Sequence, residues 1–292
     1  MTLKPLRSAL YMPGSNARAL EKAKTLPADV VILDLEDAVA PDQKAAARSQ
    51  VAAAVAAGGF GAKQVVFRVN ALDTPWGMDD LKAACEAGPD AVLLPKPNSG
   101  DDIARANDAM ARAGARSKTR LWAMIETPLA ILNLPGIAAT AKHPGSRLDC
   151  FVLGTNDLVK ETRAELDKDR TSALYWLSAS VTAARAYGIQ VLDGVYNAFK
   201  DAEGLRRECL QGRALGFDGK TLIHPDQIAT ANEIFAPAAE EVAMARKIIA
   251  AFDLPENKGK GVITLDGRMV ELLHAEMARR TVAIADAIAA KG

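Results

Sequence analysis

Short apolar runs of strand length recur through most of this chain, roughly every 20 to 40 residues. Most of them are continuous and do not alternate with polar residues, as in Val30-Val31-Ile32-Leu33. A strand that is apolar on both faces must be covered on both faces, which is typical of a parallel sheet. The predicted strands are Ser8–Met12, Val30–Leu35, Gln64–Val69, Ala91–Leu94, Arg120–Ile125, Cys150–Leu153, Gln190–Leu192 and Gly219–Ile223.

Alanine-rich helical patterns separate these strands, for example Gln43–Ala57, Asp101–Ala113 and Thr171–Tyr187. Repeated strand–helix units give parallel strands joined by right-handed crossovers. Eight such units that close on themselves form a (β/α)8 barrel, a fold that typically takes about 250 residues. The chain has 292 residues, so we predict a TIM barrel with additional segments.

The alternative to a barrel is a doubly wound open sheet. Its usual fingerprint is a Gly-x-Gly-x-x-Gly turn after the first strand. Here the first turn reads Met12-Pro13-Gly14-Ser15-Asn16, which lacks that pattern. The barrel is therefore favoured.

The part of the chain after the eighth unit has no place left in the core of a barrel. We assign residues 1–236 to the barrel and residues 237–292 to a C-terminal lid or oligomerisation segment. A helix is expected over Ala239–Phe252, a short strand over Val262–Leu265 and a final helix from Met269. This segment is expected to pack outside the barrel or over a neighbouring subunit.

Charge and composition limit the class of partner. The chain has 36 basic and 36 acidic residues, whereas proteins that bind nucleic acids or membrane surfaces need a basic excess. Aromatic residues make up 5%, few for stacking on single-stranded bases. No apolar run approaches the roughly 20 residues that span a bilayer, and the N-terminus lacks the pattern of a secretion signal. Three widely spaced cysteines indicate reduced thiols, so we expect a soluble cytoplasmic protein with a small-molecule ligand.

Polar residues follow most of the predicted strands, at the ends that meet at one mouth of a barrel. Active sites of such barrels are built there. A single acid at a strand end is equally well explained as a helix cap, but several carboxylates at one mouth must share a cation or raise their pKa values. The residues are Glu36, Asp37, Arg68, Asn70, Lys96, Glu126, Asp157, Asp193, Lys220 and His224.

Glu126 and Asp157 follow two consecutive predicted strands, so their carboxylates are expected to lie close together. Two carboxylates together with water and substrate oxygens form a common Mg²⁺ site, because Mg²⁺ gives up its water reluctantly. The alternative for Asp157 is a structural role as the N-cap of a helix that begins near Leu158. We predict that the pair binds Mg²⁺.

Arg68 is a permanently charged side chain in an otherwise apolar strand, so it needs a partner. An acidic neighbour such as Glu36 would form a structural ion pair, whereas a substrate carboxylate or an enolate oxygen would form a functional one. Asp34 lies inside its strand and is expected to be a satisfied structural acid. Glu36 and Asp37 lie at the mouth, where they would hold metal-bound water or orient Arg68.

Two further features have both a structural and a binding interpretation. The turn of residues 12–16 precedes a predicted helix over Ala17–Lys24 and offers backbone N–H groups to an anion near Lys22, although helix capping explains it equally well. His224 precedes Pro225 in a turn and is more readily explained as a structural residue than as a general base.

Several of these segments together resemble one family, the citrate lyase β-subunit-like proteins of the HpcH/HpaI aldolase superfamily, which includes malyl-CoA and citramalyl-CoA lyases. The resemblance runs in order from about Leu6 to the end of the chain. Three later segments, Gly154–Leu158, Asp193–Asn197 and Val270–His274, are most similar to a bacterial branch that includes (3S)-malyl-CoA thioesterase. The segments that carry the family resemblance are Leu10–Gly14, Leu33–Val39, Arg68–Asn70, Leu94–Lys96, Ile125–Thr127 and Ile223–Pro225.

The resemblance implies a Mg²⁺-dependent reaction on a 3-hydroxyacyl-CoA thioester that carries a second carboxylate. It implies Glu126 and Asp157 as metal ligands and Arg68 as the contact to the thioester or enolate oxygen. Residues expected to bind substrate or CoA are Tyr11, Lys22, Arg68, Glu126, Asn156, Ile223, His224 and Pro225. Residues expected to take part in catalysis are Arg68, Glu36, Asp37, Asp266 and Glu271.

In relatives of this family the C-terminal segment closes over the barrel of a neighbouring subunit and supplies an Asp as acid or base. The aligned residue here is Glu271, and Asp266 lies five residues before it. Either residue is therefore a candidate acid/base. The resemblance also implies a homo-oligomer, a trimer or hexamer.

We expect a carbon–carbon lyase that cleaves a malyl- or citramalyl-type CoA thioester to acetyl-CoA and a 2-oxo acid. The alternative is a thioesterase that releases malate and CoA with the same metal, arginine and pocket. Two further possibilities are a β subunit that works only inside a citrate lyase complex and a non-catalytic ligand-binding barrel.

Overall fold

Eight parallel strands in the computed structural model, which describes residues 4–291, form one closed barrel in the order of the sequence. This confirms the predicted (β/α)8 fold. The predicted strands agree with the observed ones to within two residues at each end. The barrel strands are β1 (Ser8–Pro13), β2 (Val30–Asp34), β3 (Gln64–Arg68), β4 (Ala91–Leu94), β5 (Arg120–Ile125), β6 (Leu148–Leu153), β7 (Gln190–Asp193) and β8 (Gly219–Leu222).

Helices follow the strands and cover the outer face of the barrel, so that the strands are buried on both sides. Short 3₁₀ turns precede several of them, and Thr171–Ala173 is such a turn at the start of the predicted helix Thr171–Tyr187. The helices that accompany the barrel are α1 (Ala17–Thr25), α2 (Lys44–Ala57), α3 (Gly77–Ala87), α4 (Gly100–Arg112), α5 (Pro128–Leu132), α6 (Leu134–Ala139), α7 (Thr155–Thr162), α8 (Leu174–Tyr187), α9 (Ala202–Leu215) and α10 (Ile228–Ile234).

The chain divides into two compact units. The first, Leu6–Asn232, contains all eight barrel strands. The second is built mainly from the residues that follow Asn232. It contains α11 (Ala239–Asp253), a two-stranded sheet of β9 (Val262–Leu265) and β10 (Arg268–Glu271), and α12 (Leu272–Ala289).

Every second residue of a barrel strand points into the lumen, and this alternation places the charged residues of the mouth. In the middle of the barrel the lumen is apolar, with Ile32, Val66, Met124 and Val152 in one buried cluster. Asp34, Arg68 and Glu126 each lie two residues after one of these apolar residues, so they also face into the lumen. The apolar packing below therefore positions the charged side chains above it.

In the second unit, Phe252, Ile263, Val270 and Ala275 form a small buried core. The strands β9 and β10 pair antiparallel across the two-residue turn Asp266–Gly267, in which both residues have positive φ. Such a turn matches the twist of a hairpin. The prediction that the last helix starts at Met269 was wrong, because Arg268–Glu271 pair as a strand and the helix begins at Leu272. Among residues 4–291 no helix has the length and apolar character needed to cross a membrane.

A closed ion cluster lies on the outer side of the barrel, between the sheet and the helices. Asp193 and Lys220 are partners in the register of β7 and β8, and their carboxylate and ammonium lie 3.0 Å apart. Arg170 donates to both carboxylate oxygens of Asp193 at 2.8 and 2.9 Å, and Glu208 lies 2.6 Å from Lys220. Asp193 follows the inward-facing Leu192, so it points away from the lumen. Asp193 and Lys220 thus support the fold and do not line the mouth.

We expect Asp193→Asn to lower the free energy of unfolding by about 3–5 kcal/mol, because it leaves two buried cations with only the carboxylate of Glu208 to balance them. Lys220 and Arg170 lower the pKa of Asp193 against the effect of burial, so the parent loses this stabilisation only as the pH falls below about 4. Urea unfolding between pH 3 and pH 8 measures both effects. Glu21→Gln, which breaks an exposed pair with Lys24, should change stability by less than about 0.5 kcal/mol. Equal losses in the two variants would contradict a special role for the cluster.

Candidate active site

Arg68 is the centre of the charged groups at the mouth of the barrel, and its side chain is 5% exposed. Its Nε and Nη2 donate to the two oxygens of Asp34, each at 2.6 Å. Its Nη1 lies 2.9 Å from Oε2 of Glu36 and 3.2 Å from Oδ2 of Asp37. The principal partner of Arg68 is therefore Asp34, the residue expected to be a satisfied structural acid. Glu36 and Asp37 do contact Arg68, as predicted.

Glu36 connects Arg68 to a second cation. Its other oxygen, Oε1, accepts a hydrogen bond from Nζ of Lys96 at 2.5 Å. Burial raises the pKa of Glu36, and Arg68 and Lys96 oppose that shift. Asp37 differs from Glu36 in that its side chain is 61% exposed. Asp37 is thus open to solvent, whereas Glu36 is enclosed between two cations.

Glu126 is fully buried, at the end of β5. Its Oε1 accepts a hydrogen bond from the backbone N–H of Lys96 at 2.9 Å. Its Oε2 is buried and has no hydrogen-bond partner among the described residues. Burial, together with the charge of Glu36, raises the pKa of Glu126 to about 8. A buried carboxylate oxygen without a partner is costly, and it is available to a cation or a donor from outside the chain.

Asp157 lies in the first turn of α7, directly above the end of β6. The helix begins at Thr155 with Gly154 as its N-cap, so the alternative that Asp157 is the N-cap was wrong. A Cβ on Gly154 would lie 2.7 Å from Oε2 of Glu126, so the backbone of residue 154 packs directly on that carboxylate. The charge of Asp157 raises the pKa of Glu126 further. Asp157 and Glu126 therefore belong to one electrostatic site.

The composition of the mouth fits a divalent cation. The mouth holds five carboxylates and three cations, which leaves an excess of negative charge. Among residues 4–291 no three His, Cys, Asp or Glu side chains are arranged as metal ligands, so the candidate ligands are the two carboxylates of Glu126 and Asp157. The five carboxylates are those of Asp34, Glu36, Asp37, Glu126 and Asp157, and the three cations are Arg68, Lys96 and the buried Lys44.

Tyr11 and Lys22, the two candidate binding residues near the start of the chain, lie in surroundings that differ from each other. Tyr11 is partly buried against the lumen core, with its ring 4.9 Å from the guanidinium carbon of Arg68 and its hydroxyl 3.8 Å from Sδ of Met124. Burial raises its pKa. Lys22 is exposed, in the last turn of α1. Tyr11 therefore belongs to the charged centre at Arg68, whereas Lys22 lies on the surface.

The residues predicted on the side of β7 and β8 are mostly exposed. The amide of Asn197 donates to that of Asn156 at 2.7 Å. The ring of His224 stacks on Phe199 at 4.7 Å between centroids, and its Nδ1 accepts from the backbone N–H of Asp226. Ile223 is 41% exposed, and Pro225 starts a 3₁₀ turn. These residues form an aromatic and polar surface apart from the buried carboxylates.

The two candidate acid/base residues, Asp266 and Glu271, belong to the second unit. Asp266 is half exposed in the hairpin turn and lies 2.5 Å from Nζ of Lys247. Glu271 is half-buried at the start of α12, where its backbone N–H donates to Nδ1 of His274 at 3.0 Å. Asp266 is therefore engaged with a cation, whereas no ion pair is found for Glu271 among the described residues.

Sequence reasoning assigned no role to two lysines of the mouth. Lys96 was noted only as a residue at a strand end, although the sequence Pro-Lys-Pro after a strand is an unusual signal. Lys44 is buried in α2 and donates to the backbone oxygens of Leu35 and Glu36 at 2.7 and 2.6 Å. Its place in an amphipathic helix gave no sign of this contact, because the contact exists only after the helix packs on the sheet.

A TIM barrel that collects charged side chains at the C-terminal ends of its strands has the architecture of a barrel enzyme, since the active sites of such enzymes lie there. Residues 7–225 match the HpcH/HpaI aldolase/citrate lyase family. Because the match covers most of the chain, the protein belongs to this family, which confirms the resemblance inferred from the sequence.

Individual relatives cover nearly the whole chain. It is 48% identical to a (3S)-malyl-CoA thioesterase of Cereibacter sphaeroides over 99% of this chain and 97% of that protein. It is 37% identical to the citrate lyase subunit beta of Escherichia coli over 91% of this chain and 88% of that protein. Among solved structures, protein CitE from Mycobacterium tuberculosis in complex with magnesium, acetoacetate and coenzyme A superimposes with a TM-score of 0.74, at 28% identity, over 97% of this chain and 98% of that chain.

We expect Mg²⁺ to stabilise the parent protein but not Glu126→Gln. Without metal, the raised pKa of Glu126 means that the parent loses stability as the pH rises from about 4.5 to about 8, because in this range the carboxyl ionises in the unfolded chain but stays protonated in the folded one. Glu126→Gln removes this loss, so above pH 8 the metal-free variant should melt at a higher temperature than the metal-free parent. Mg²⁺ at 100 times its Kd should stabilise the parent by about 2.7 kcal/mol.

Thermal melting at pH 9 with EDTA or Mg²⁺ tests this. Glu161→Gln, an exposed carboxylate further along α7, is the control and should respond like the parent. An equal response of Glu126→Gln to Mg²⁺ would exclude Glu126 as a ligand.

Proposed function

We propose that this protein is a Mg²⁺-dependent thioesterase that hydrolyses a malyl-type CoA thioester to malate and CoA. The observation that carries the proposal is the 48% identity to a (3S)-malyl-CoA thioesterase along almost the whole of both chains. This reverses the order of the two hypotheses drawn from the sequence, in which the lyase came first.

The proposed metal ligands are Glu126, through its unpartnered Oε2, and Asp157. When bound there, Mg²⁺ would act as a Lewis acid and as a template for the oxygens of the substrate. The amide of Lys96 orients the Glu126 carboxylate by holding its other oxygen. Support for the metal comes from the excess of carboxylates at the mouth and from the related CitE structure, which was solved with magnesium.

Arg68 is the proposed stabiliser of negative charge. In hydrolysis, the oxygen of water adds to the thioester carbon, the carbonyl oxygen becomes negative, and the C–S bond then breaks to release CoA with a proton. A preorganised cation next to such an oxygen is typically worth about 3 kcal/mol. Asp34 holds the guanidinium by two hydrogen bonds, so the group is already oriented before substrate binds, and its Nη1 would exchange the exposed Asp37 for the substrate oxygen.

The remaining assignments are proposals of the same kind. Tyr11, Lys22, Asn156 and the turn Ile223–Pro225 would contact substrate or CoA. Glu271 is our preferred acid/base, because Asp266 is paired with Lys247. The protein would act as a homo-oligomer, a trimer or hexamer, in the cytoplasm.

The second candidate is the carbon–carbon lyase. In that reaction the hydroxyl group of the substrate loses its proton, the C–C bond breaks, and the electrons pass to an acetyl-CoA enolate while a 2-oxo acid forms. The same Arg68 would stabilise the enolate oxygen. The family match and the 37% identity to a citrate lyase subunit beta favour this candidate.

A product assay separates the two reactions. We expect the purified protein with Mg²⁺ and (3S)-malyl-CoA to release free CoA thiol and malate without glyoxylate. Thiol titration and a carbonyl reagent for 2-oxo acids measure these products in one sample. Acetyl-CoA and glyoxylate in equal amounts, without free thiol, would replace the thioesterase proposal by the lyase. No turnover of CoA esters by the isolated chain would favour a subunit of a citrate lyase complex.

We expect Asp157→Asn to lower kcat/KM by at least about 100-fold, since loss of even the groups that support a metal ligand costs about 10–100-fold. The Mg²⁺ concentration needed for half-maximal activity should rise at the same time. Glu161→Gln lies on the same helix and is exposed, so it should leave both values near those of the parent. Unchanged kinetics for Asp157→Asn would remove Asp157 from the site.

A further inference from the structure

Lys96 lies at the mouth in an unusual backbone conformation. It follows β4 in the sequence Leu94-Pro95-Lys96-Pro97 and has a φ of 52°. Positive φ is disfavoured for a residue with a Cβ, and a following proline restricts the backbone further. Such a conformation persists when the surroundings enforce it, and strained residues of this kind concentrate at functional sites.

Both ends of Lys96 are bound to carboxylates of different strands. Its backbone N–H donates to Oε1 of Glu126 at 2.9 Å, and its Nζ lies 2.5 Å from Oε1 of Glu36. The ammonium is also 4.0 Å from the same oxygen of Glu126, and the charge of Asp157 acts on it. Lys96 thus places one positive charge among three carboxylates, two of which are the proposed metal ligands.

The ammonium of Lys96 differs from the other cations nearby in its access to solvent. The side chain of Lys96 is 33% exposed, whereas that of Arg68 is 5% exposed and is held by two hydrogen bonds to Asp34. Lys44 is buried and bound to backbone oxygens. The ammonium of Lys96 makes one hydrogen bond and its long side chain already reaches solvent, so it can move into water at little cost in free energy. A buried guanidinium cannot do so.

We propose that Lys96 is an internal counter-ion that competes with the divalent cation. In the metal-free protein its ammonium offsets part of the negative charge of Glu36, Glu126 and Asp157. When a divalent cation binds, the ammonium moves towards solvent while the backbone N–H continues to hold Glu126. This inference rests on the metal site of the proposed function and adds to it a residue that weakens the affinity for the metal.

Two variants separate the ammonium from the backbone. Lys96→Met removes the charge and keeps a side chain of similar length. Lys96→Gly also removes the charge, tolerates positive φ and keeps the amide donor to Glu126, so it should fold even if Lys96→Met does not. Lys96→Arg keeps the charge. Lys118→Met removes the same charge from an exposed lysine just before β5, at the opposite end of the barrel from the mouth.

The measurement is isothermal titration of each full-length variant with Mg²⁺, and with Mn²⁺ as a second probe, at pH 9 and without substrate. We expect Lys96→Met and Lys96→Gly to bind the metal about fivefold or more tightly than the parent. In these variants the metal no longer displaces an ammonium that lies 4.0 Å from an oxygen of Glu126, and the attraction between unit charges at that distance is about this large even in a water-like surrounding. Lys96→Arg and Lys118→Met should bind like the parent.

If Lys96 only positions the carboxylates, its replacement is expected to weaken metal binding. Equal or weaker metal binding by Lys96→Met and Lys96→Gly would overturn the counter-ion role and leave the metal site in place. An equal tightening in Lys118→Met would show a general charge effect and would overturn it as well. No metal binding by any variant would overturn the metal site of the proposed function together with this inference.

Discussion

The ion pair between Arg68 and Asp34 is the interaction on which the mouth of the barrel depends. Both side chains are buried at the top of the lumen, where a charge without a partner would be costly. Two hydrogen bonds of 2.6 Å join them, and Arg68 then reaches Glu36 and Asp37 with its third nitrogen. The guanidinium is therefore already held in place by these carboxylates before any ligand binds.

The barrel carries two buried ion clusters, and the contrast between them separates structure from function. Around Asp193 the carboxylate oxygens are all matched by Lys220, Arg170 or a backbone N–H, and the cluster lies outside the lumen. At the mouth, Oε2 of Glu126 has no hydrogen-bond partner among the described residues, and the carboxylates are in excess. A satisfied cluster holds elements together, whereas an unsatisfied one in a solvent-accessible mouth is suited to a ligand.

The two reactions proposed for this protein, hydrolysis of a thioester and cleavage of a C–C bond, both build negative charge on an oxygen of the substrate. Under either proposal the guanidinium of Arg68 would stabilise that charge. The two reactions differ in whether water reaches the thioester carbon and in which atom of the substrate receives a proton.

Local patterns were sufficient to predict the barrel and most of its strand ends, because continuous apolar runs and their spacing report burial directly. The family was inferred separately, from the resemblance of segments at the strand ends. The local patterns also indicated Arg68, Glu126 and Asp157, since each follows or ends a strand. They did not show that Asp34 is the main partner of Arg68, that Asp193 points outwards or that Lys96 bridges Glu36 and Glu126. Those contacts join residues about 20 to 60 positions apart, and only closure of the barrel, with its alternation of inward and outward side chains, decides which charges meet.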